Sequence, residues 1–353
     1  MTKGIFVYCR PGFEADCEFE CQGLLKNKRI KHTFQSIKNS GFILIECFEA
    51  STALTLLSTY SVEQCIFPRQ WFLSDLILHS LPPPDRVSPL MVIFKHLGRV
   101  FKDVYLETLD TNEGKSLSKL CRGVDKVLHT RLQQQDLIDE NTSPWRGHIC
   151  FVKGDAAYVG FSHHTHSAPW PMGIPRLRAS REAPSRSALK LEEAFLRLLT
   201  TAERQKYLRP GMRAVDLGAA PGGWTWYLTK QGFSVTAIDN GPLQKNVLDS
   251  GKVEHLRVDG FKYRVRKPVD WLVCDMVEQP GRIAALMALW LQQNMCRHAL
   301  FNLKLPMKKR AQEVQGILDG MGLNLRKEGE FKIRVKQLYH DRDEVTVLII
   351  RGK

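Results

Sequence analysis

The 353-residue sequence has no uninterrupted apolar run of about 18 residues, so no segment reads as a membrane span. Its opening, MTKGIFVYCRPGFE, lacks the apolar stretch and small-residue cleavage site of a secretory signal. The nine cysteines include no Cys-x-x-Cys pair, and an odd count argues against a disulfide framework. Cys17 and Cys21 stand one helical turn apart and read as two helix-borne thiols. A reducing, cytoplasmic setting is expected. Internal repeats are also missing, which sets solenoids and propellers aside. SHHTHS crowds His163, His164 and His166 together, but without a cysteine or carboxylate at ligand spacing no metal site is expected. Acidic residues are the scarce charge: 37 Asp and Glu face 51 Lys and Arg, for a net charge of +14. An excess of that size suits a polyanion, because each phosphate neutralised releases counterions. FKYRVRK (261–267), LKLPMKKR (303–310) and LRKEGEFKIRVK (325–336) gather it in the C-terminal half. Three such stretches together point to a nucleic-acid surface.

What is present divides the chain into parts. Residues 1–65 alternate strand and helix: GIFVYCR, then EADCEFECQGLLKN, then GFILIECF, then STALTLLSTYS. That order predicts a small α+β module. Residues 66–166 run from RQWFLSDLIL through the helical SPLMVIFKHLGRVF, the strand DVYLETLD and a long amphipathic helix. They end in a hairpin, HICFVKGDAAYVGFS, whose Gly-Asp marks the turn. Residues 167–186 carry four prolines among basic residues and read as a linker. From 187 to 353 strands and helices alternate, which predicts a doubly wound parallel sheet.

The chemistry starts at RAVDLGAAPGGWTWYL (213–228), a buried strand, a glycine turn and a helix. Gly218, Gly222 and Gly223 are not spaced as G-x-G-x-x-G, and no Gly-Lys-Ser/Thr ends this turn. The turn therefore admits a nucleoside without being built around phosphates, which disfavours a nicotinamide dehydrogenase. SVTAIDN puts Asp239 at the next strand end, suited to two ribose hydroxyls, and HLRVDGF puts Asp259 where it can meet an adenine edge. A nucleoside held without a pyrophosphate points to S-adenosylmethionine.

Further charged residues follow the same strand-end pattern. Asp275 ends VDWLVCDM, Lys304 sits in the apolar HALFNLKLP, Glu344 precedes a terminal apolar strand, and Lys190 rides on an amphipathic helix for which Ser185 is the candidate N-cap. A lysine in an apolar strand is costly to bury unless paired. Cys274 lies inside its strand and reads as a buried thiol rather than a base-methylase nucleophile. CDMVEQP also lacks the Asn/Asp-Pro-Pro-aromatic turn of amino-group methylases.

SRSALKLEE, DLGAAPGGW, CDM, LKLP and DEVTV together resemble the Lys-Asp-Lys-Glu ribose 2′-O-methyltransferases of FtsJ type. Over the whole chain, RPGFE, PRQWF, MGIPRL and NLKLPMKKR are similar to the bacterial enzymes that methylate a cytidine ribose of 23S ribosomal RNA. The resemblance implies a Rossmann-like methyltransferase domain at 187–353, preceded by a ferredoxin-like module at 1–65 and a THUMP-like RNA-binding domain at 66–166. It implies Lys304, Lys190, Asp275 and Glu344 as the catalytic set. Cofactor contacts would come from Ser187, Gly218, Ala220, Pro221, Gly222, Gly223, Trp224, Asp239, Asp259 and Asp275. One departure stands out: MVEQP follows the strand-four Asp where FtsJ-type enzymes have a Pro-Asn segment. In this scheme Lys304 is the general base, its pKa lowered by burial and by nearby positive charge. A non-catalytic RNA-binding protein on a vestigial fold is the alternative. A monomer is the default expectation.

Overall fold

The structure, a computed structural model, describes residues 3–27, 31–47, 50–325 and 329–352. The chain forms two compact units, Met1–Pro175 and Arg176–Lys353.

The first unit contains β1 (Lys3–Tyr8), α1 (Glu14–Asn27), β2 (His32–Ser36), β3 (Phe42–Cys47), α2 (Ala50–Thr59), β4 (Gln70–Leu78), α3 (Val87–His96), β5 (Asp103–Thr108), α4 (Asn112–Ser116), α5 (Ser118–Gln134), β6 (Trp145–Lys153) and β7 (Ala156–His163). All seven strands share one sheet, ordered β2-β3-β1-β4-β7-β6-β5, in which only β5 and β6 pair in parallel. The run β1-α1-β2-β3-α2-β4 is the split βαβ pattern of a ferredoxin-like fold. Sequence reading misses β2, because HTFQS is a short edge strand with only half-buried and exposed positions and no apolar run. It also detaches β4 from the first module, whereas β4 pairs with β1 on one side and β7 on the other. The Gly154–Asp155 turn joins β6 to β7 as the sequence predicts.

The first part of the expected linker is docked on the first unit. Gln70 Nε2 donates to the Ala168 carbonyl (2.8 Å), Gln70 Oε1 accepts the Ala168 N–H (3.0 Å), and Arg146 Nη1 donates to the same carbonyl (2.7 Å). The Met172 N–H donates to buried Glu107. The chain is thus held to the first unit as far as 172.

The second unit contains α6 (Ser187–Leu198), α7 (Thr201–Tyr207), β8 (Arg213–Leu217), α8 (Gly223–Lys230), β9 (Ser234–Ile238), α9 (Lys245–Leu248), β10 (Val253–Leu256), β11 (Val269–Cys274), α10 (Pro280–Gln292), β12 (Cys296–Lys304), α11 (Arg310–Leu325), β13 (Phe331–Lys336) and β14 (Glu344–Arg351). The sheet order is β10-β9-β8-β11-β12-β14-β13. Six strands share one direction and β14 alone runs opposite, antiparallel to β12 and β13 on either side of it, so the sheet is mixed rather than wholly parallel. The chain winds outward from β8 to β10 and returns to β11. This reversal opens a crevice at the carboxyl ends of β8 and β11, where such sheets take ligands. Beneath it Leu191, Phe195, Trp224, Leu228, Phe233 and Trp271 form a dry core that fixes α6 and α8 against the sheet.

Candidate active site

Strand register assembles the four charged groups. Lys304 and Glu344 are direct cross-strand partners at the ends of β12 and β14. Asp275 follows the last residue of β11, the other neighbour of β12, and its N–H donates to the Leu217 carbonyl (3.2 Å). Lys190 projects from the first turn of α6. Lys304 Nζ donates to Asp275 Oδ1 at 2.9 Å and to Glu344 Oε2. Lys190 Nζ lies 3.4 Å from Asp275 Oδ2 and pairs with Glu344 Oε1. Two ammonium groups thus alternate with two carboxylates in a closed ring, and residues from opposite ends of the unit's sequence meet. Their side chains keep between 4% and 26% of their surface exposed, so the ring is accessible without being solvated.

The expected lowering of the Lys304 pKa is not what this arrangement produces. Burial pulls the ammonium down, but the charges of Asp275 and Glu344, with the hydrogen bonds each accepts, outweigh it and leave Lys304 above the ordinary lysine value. The sequence puts the lysine in an apolar strand; it does not show that both carboxylates reach the same nitrogen.

The glycine turn lies at the mouth of the crevice, between β8 and α8. Gly218 and Gly222 have φ of +79° and +112°, which side chains rarely tolerate, and a Cβ on Gly222 would meet Val247 Cγ2 at 2.8 Å. A Cβ on Gly223 would overlap the hydroxyls of Ser187 and Ser185, which bond each other at 2.6 Å. Helix α6 therefore packs directly on the turn, bringing Ser187 beside it and Lys190 one turn further on. Ser185 is not the N-cap residue; Arg186 occupies that position, although the Ser185 hydroxyl accepts the Ser187 N–H at 3.3 Å. The Ala220–Pro221 bond is cis.

Asp239 follows β9 at the crevice edge. Its Oδ2 accepts the Ala220 N–H (3.0 Å) and its Oδ1 the Gly241 N–H (2.7 Å). Each oxygen has used one acceptor direction on the backbone and keeps one for a vicinal diol. Asp259 differs from expectation: β10 stops at Leu256, and Asp259 lies in the exposed turn beyond it, where its Oδ1 accepts the Phe261 N–H (2.9 Å). Trp224 is 3% exposed within the core cluster, so its contribution is packing beneath the turn.

Behind the site, Asn302, Thr346 and Glu193 escape sequence reading, whereas Asp216 is legible as the acid near the end of the AVDLG strand. Asp216 is buried, accepts the Thr225 hydroxyl (2.6 Å), and is pushed by burial up to about 7. Asn302 Nδ2 donates to Asp275 Oδ1 (2.9 Å), and the Thr346 hydroxyl donates to Asn302 Oδ1 (2.8 Å). The signal for both was there: Asn302 and Thr346 are polar residues in otherwise apolar strands, each two positions from a charged group and hence on its face. Glu193, fully buried on α6, accepts the N–H groups of Tyr339 (2.9 Å) and His340 (3.0 Å). Cys274 is fully buried and pushed up to about 12, unsuited to a nucleophile.

The basic stretches separate. Lys262, Arg264, Arg266, Lys267, Lys308 and Lys309 are exposed. In the third stretch residues 326–328 lie outside the described residues, Arg334 is tied to both Glu203 oxygens (2.6 and 2.7 Å), and Lys336 is buried. Much of that stretch is therefore structural. Among the described residues no group of three His, Cys, Asp or Glu side chains could hold a metal, and no helix is long and apolar enough to cross a membrane.

Three family models match the chain in succession: the RlmM ferredoxin-like domain over 1–72, the ribosomal RNA large subunit methyltransferase M N-terminal region over 85–163, and the FtsJ-like methyltransferase over 183–343. Proteins named ribosomal RNA large subunit methyltransferase M from Xanthomonas campestris pv. campestris (strain B100) and Xanthomonas oryzae pv. oryzae (strain PXO99A) are each 45% identical over 352 residues, covering 99% of this chain and 100% of theirs. That of Xanthomonas euvesicatoria pv. vesicatoria (strain 85-10) is 44% identical over 351 residues. With a ferredoxin-like fold followed by a Rossmann-like one, and relatives matched end to end, the chain belongs to the ribosomal RNA large subunit methyltransferase M family.

Proposed function

We propose that this protein transfers the methyl group of S-adenosylmethionine to the ribose 2′-hydroxyl of a cytidine in 23S ribosomal RNA, with Lys304 as the general base. It is an S-adenosylmethionine-dependent methyltransferase of ribosomal RNA; the sugar as acceptor, the cytidine, the 23S molecule and the role of Lys304 are the finer parts of the proposal. The observation that carries it is the ring of Lys190, Asp275, Lys304 and Glu344 at the carboxyl edge of the sheet, next to a glycine turn that excludes side chains.

The turn from Gly218 to Gly223, with Ala220, Pro221 and Ser187 beside it, would hold the cofactor, and Asp239 would take its ribose. Asp259 would meet the adenine edge, and Asp275 would face the methyl-donor end. The bound cofactor supplies an electrophilic methyl group on a positively charged sulfur. What remains for the protein is positioning and proton removal. A 2′-hydroxyl attacks well only as it loses its proton. Lys304 Nζ is the group to receive that proton, because it is the lysine anchored on a rigid strand with both carboxylates fixing its direction. A third positive charge brought near Lys304 and Lys190 opposes the two carboxylates and lowers the lysine pKa from its raised starting point. Asp275 and Glu344 orient both amines, and Lys190 shields the developing negative charge on oxygen.

The exposed residues of 261–267 and 303–310 would meet the phosphate backbone, with residues 66–166 acting as a THUMP-like RNA-binding domain. The protein would act as a cytoplasmic monomer. Incubating labelled S-adenosylmethionine with undermodified 23S RNA, then hydrolysing in alkali, tests the acceptor. A 2′-O-methyl group removes the nucleophile for strand cleavage, so the label should remain in an alkali-resistant dinucleotide containing cytidine. Label recovered only in mononucleotides would mean base methylation.

A further inference from the structure

Behind the charged ring runs a second, uncharged row. Asn302 and Thr346 are cross-strand partners in β12 and β14, one same-face step inward from Lys304 and Glu344. Both are buried, as is Asp341 in the turn before β14. Asp275 carries a carboxylate that can only accept, so the Asn302 amide must present its nitrogen there (2.9 Å) and its oxygen to the Thr346 hydroxyl (2.8 Å). A hydroxyl has one proton. Once it is given to Asn302, Thr346 can only accept from Asp341, whose oxygens lie 3.1 and 3.4 Å away. Asp341 Oδ2 is the nearer oxygen at 3.1 Å, and with a proton on it that oxygen still accepts the Leu338 N–H at 3.0 Å while donating to Thr346. Burial, and next the charge of Glu344, push the Asp341 carboxyl well above the usual range, in keeping with that direction. Every donor then has an acceptor, and the row reads one way: Asp341 to Thr346 to Asn302 to Asp275.

We propose that Asn302, Thr346 and Asp341 are positioning residues for methyl transfer, forming a one-way hydrogen-bond chain that aims the Asp275 carboxylate at Lys304 and Lys190. This rests on the function proposed above. Asp275 Oδ1 accepts from both Asn302 and Lys304, so the amide fixes the carboxylate plane and with it the lysine nitrogen. Glu193 extends the support, since the helix that carries Lys190 also grips residues 339 and 340 just before Asp341. A buried polar row could serve strand pairing alone, and in that case apolar replacement would leave catalysis intact.

The test is single-turnover methylation of undermodified 23S RNA, with cofactor affinity by calorimetry and melting temperature alongside. Thr346→Val keeps the shape and removes the hydroxyl, and Asn302→Leu removes the amide; each should lower the rate constant about 10- to 100-fold, as small misplacements of a catalytic group do. Cofactor affinity should stay within about twofold of wild type. Thr346→Ser and Asp341→Asn preserve every donor direction and should remain within about threefold. Should Asn302→Leu fail to fold, the Thr346 pair decides the matter alone. Thr346→Val at the wild-type rate, or Asp341→Asn as impaired as Thr346→Val, would overturn the proposal. A wild-type protein that binds cofactor but leaves ribose unmethylated would overturn the functional reading and this inference with it, whereas an active wild type with an unimpaired Thr346→Val sinks the inference alone.

Discussion

Replacing Lys304 with arginine separates charge from basicity. The ring holds two positive and two negative charges, and the Lys304→Arg variant would keep that balance. Its guanidinium can still donate to both Asp275 and Glu344, the two partners Lys304 has. What the substitution removes is the readiness to be neutral. A lysine at about 10.4 is uncharged about once in 2,500 at pH 7, a free-energy gap of about 5 kcal/mol, and Lys304 starts above the ordinary value. Arginine lies about 2 to 3 units higher still, so a step that requires the neutral amine should slow about 10²- to 10³-fold. Cofactor affinity should be unchanged, because the glycine turn and Asp239 belong to other elements.

The pH profile supplies a second readout. The bound cofactor lowers the Lys304 pKa from a raised starting point, which leaves the base largely protonated at neutrality, so each pH unit multiplies its neutral fraction tenfold until the pKa is reached. Under single-turnover conditions the wild-type log rate should therefore climb with a slope near one between about pH 7 and 9. The slope in Lys304→Arg should persist to higher pH from a far lower base. A Lys304→Arg protein within tenfold of wild type, or a wild-type rate flat across that window, would refute Lys304 as the base. It would leave the ring as an electrostatic frame only.

Asp239→Asn should weaken cofactor binding about 10- to 100-fold by calorimetry, since a charged acceptor of two diol hydrogen bonds is replaced by an amide that must also give up an Ala220 or Gly241 N–H. Its rate at saturating cofactor should hold, and a larger effect on rate than on affinity would contradict the assignment. Asp216→Asn addresses stability. Burial holds this carboxyl at about 7 in the folded state against about 3.9 unfolded, so the folded protein keeps a proton that the unfolded chain releases between pH 4 and 7. Stability should fall with rising pH across that window and level off above it. The asparagine variant should lose this slope and gain up to about 4 kcal/mol at pH 8 in urea titrations. An unchanged slope would place the proton elsewhere.

The two units differ in how plainly their sequences announce them. In the second, Asp239, Asp275 and the glycine turn come at or just after the carboxyl ends of apolar strands while Glu344 opens the antiparallel β14, and strands buried on both faces are conspicuous. AVDL, VTAI and WLVC are readable because nothing but a buried strand needs such runs. In the first unit all strand pairs but β5–β6 are antiparallel and the edge strand β2 is polar, so HTFQS carries no signal that its pairing with β3 could be foreseen from. The division between modules misleads for a related reason: β4 is rich in apolar residues on both sides of Ser74 and Asp75, neighbours flank it on both sides, and a linear reading cannot tell which neighbour claims it.

At the active site the limit is different. Residue types survive in one dimension, but the sign of a pKa shift depends on distances in three. Lys304 in an apolar strand argues for a lowered pKa, and the same lysine with two carboxylates in contact argues for a raised one. With both carboxylates in contact, Lys304 holds its proton more firmly than an ordinary lysine. In the mechanism proposed above, an added positive charge arriving on the side of the glycine turn would tip the lysine toward releasing its proton. In the proposed role, a base that becomes competent only beside its methyl donor would not spend its basicity on water between turnovers, and that coupling is what four charges would gain by being packed together rather than spread along the crevice.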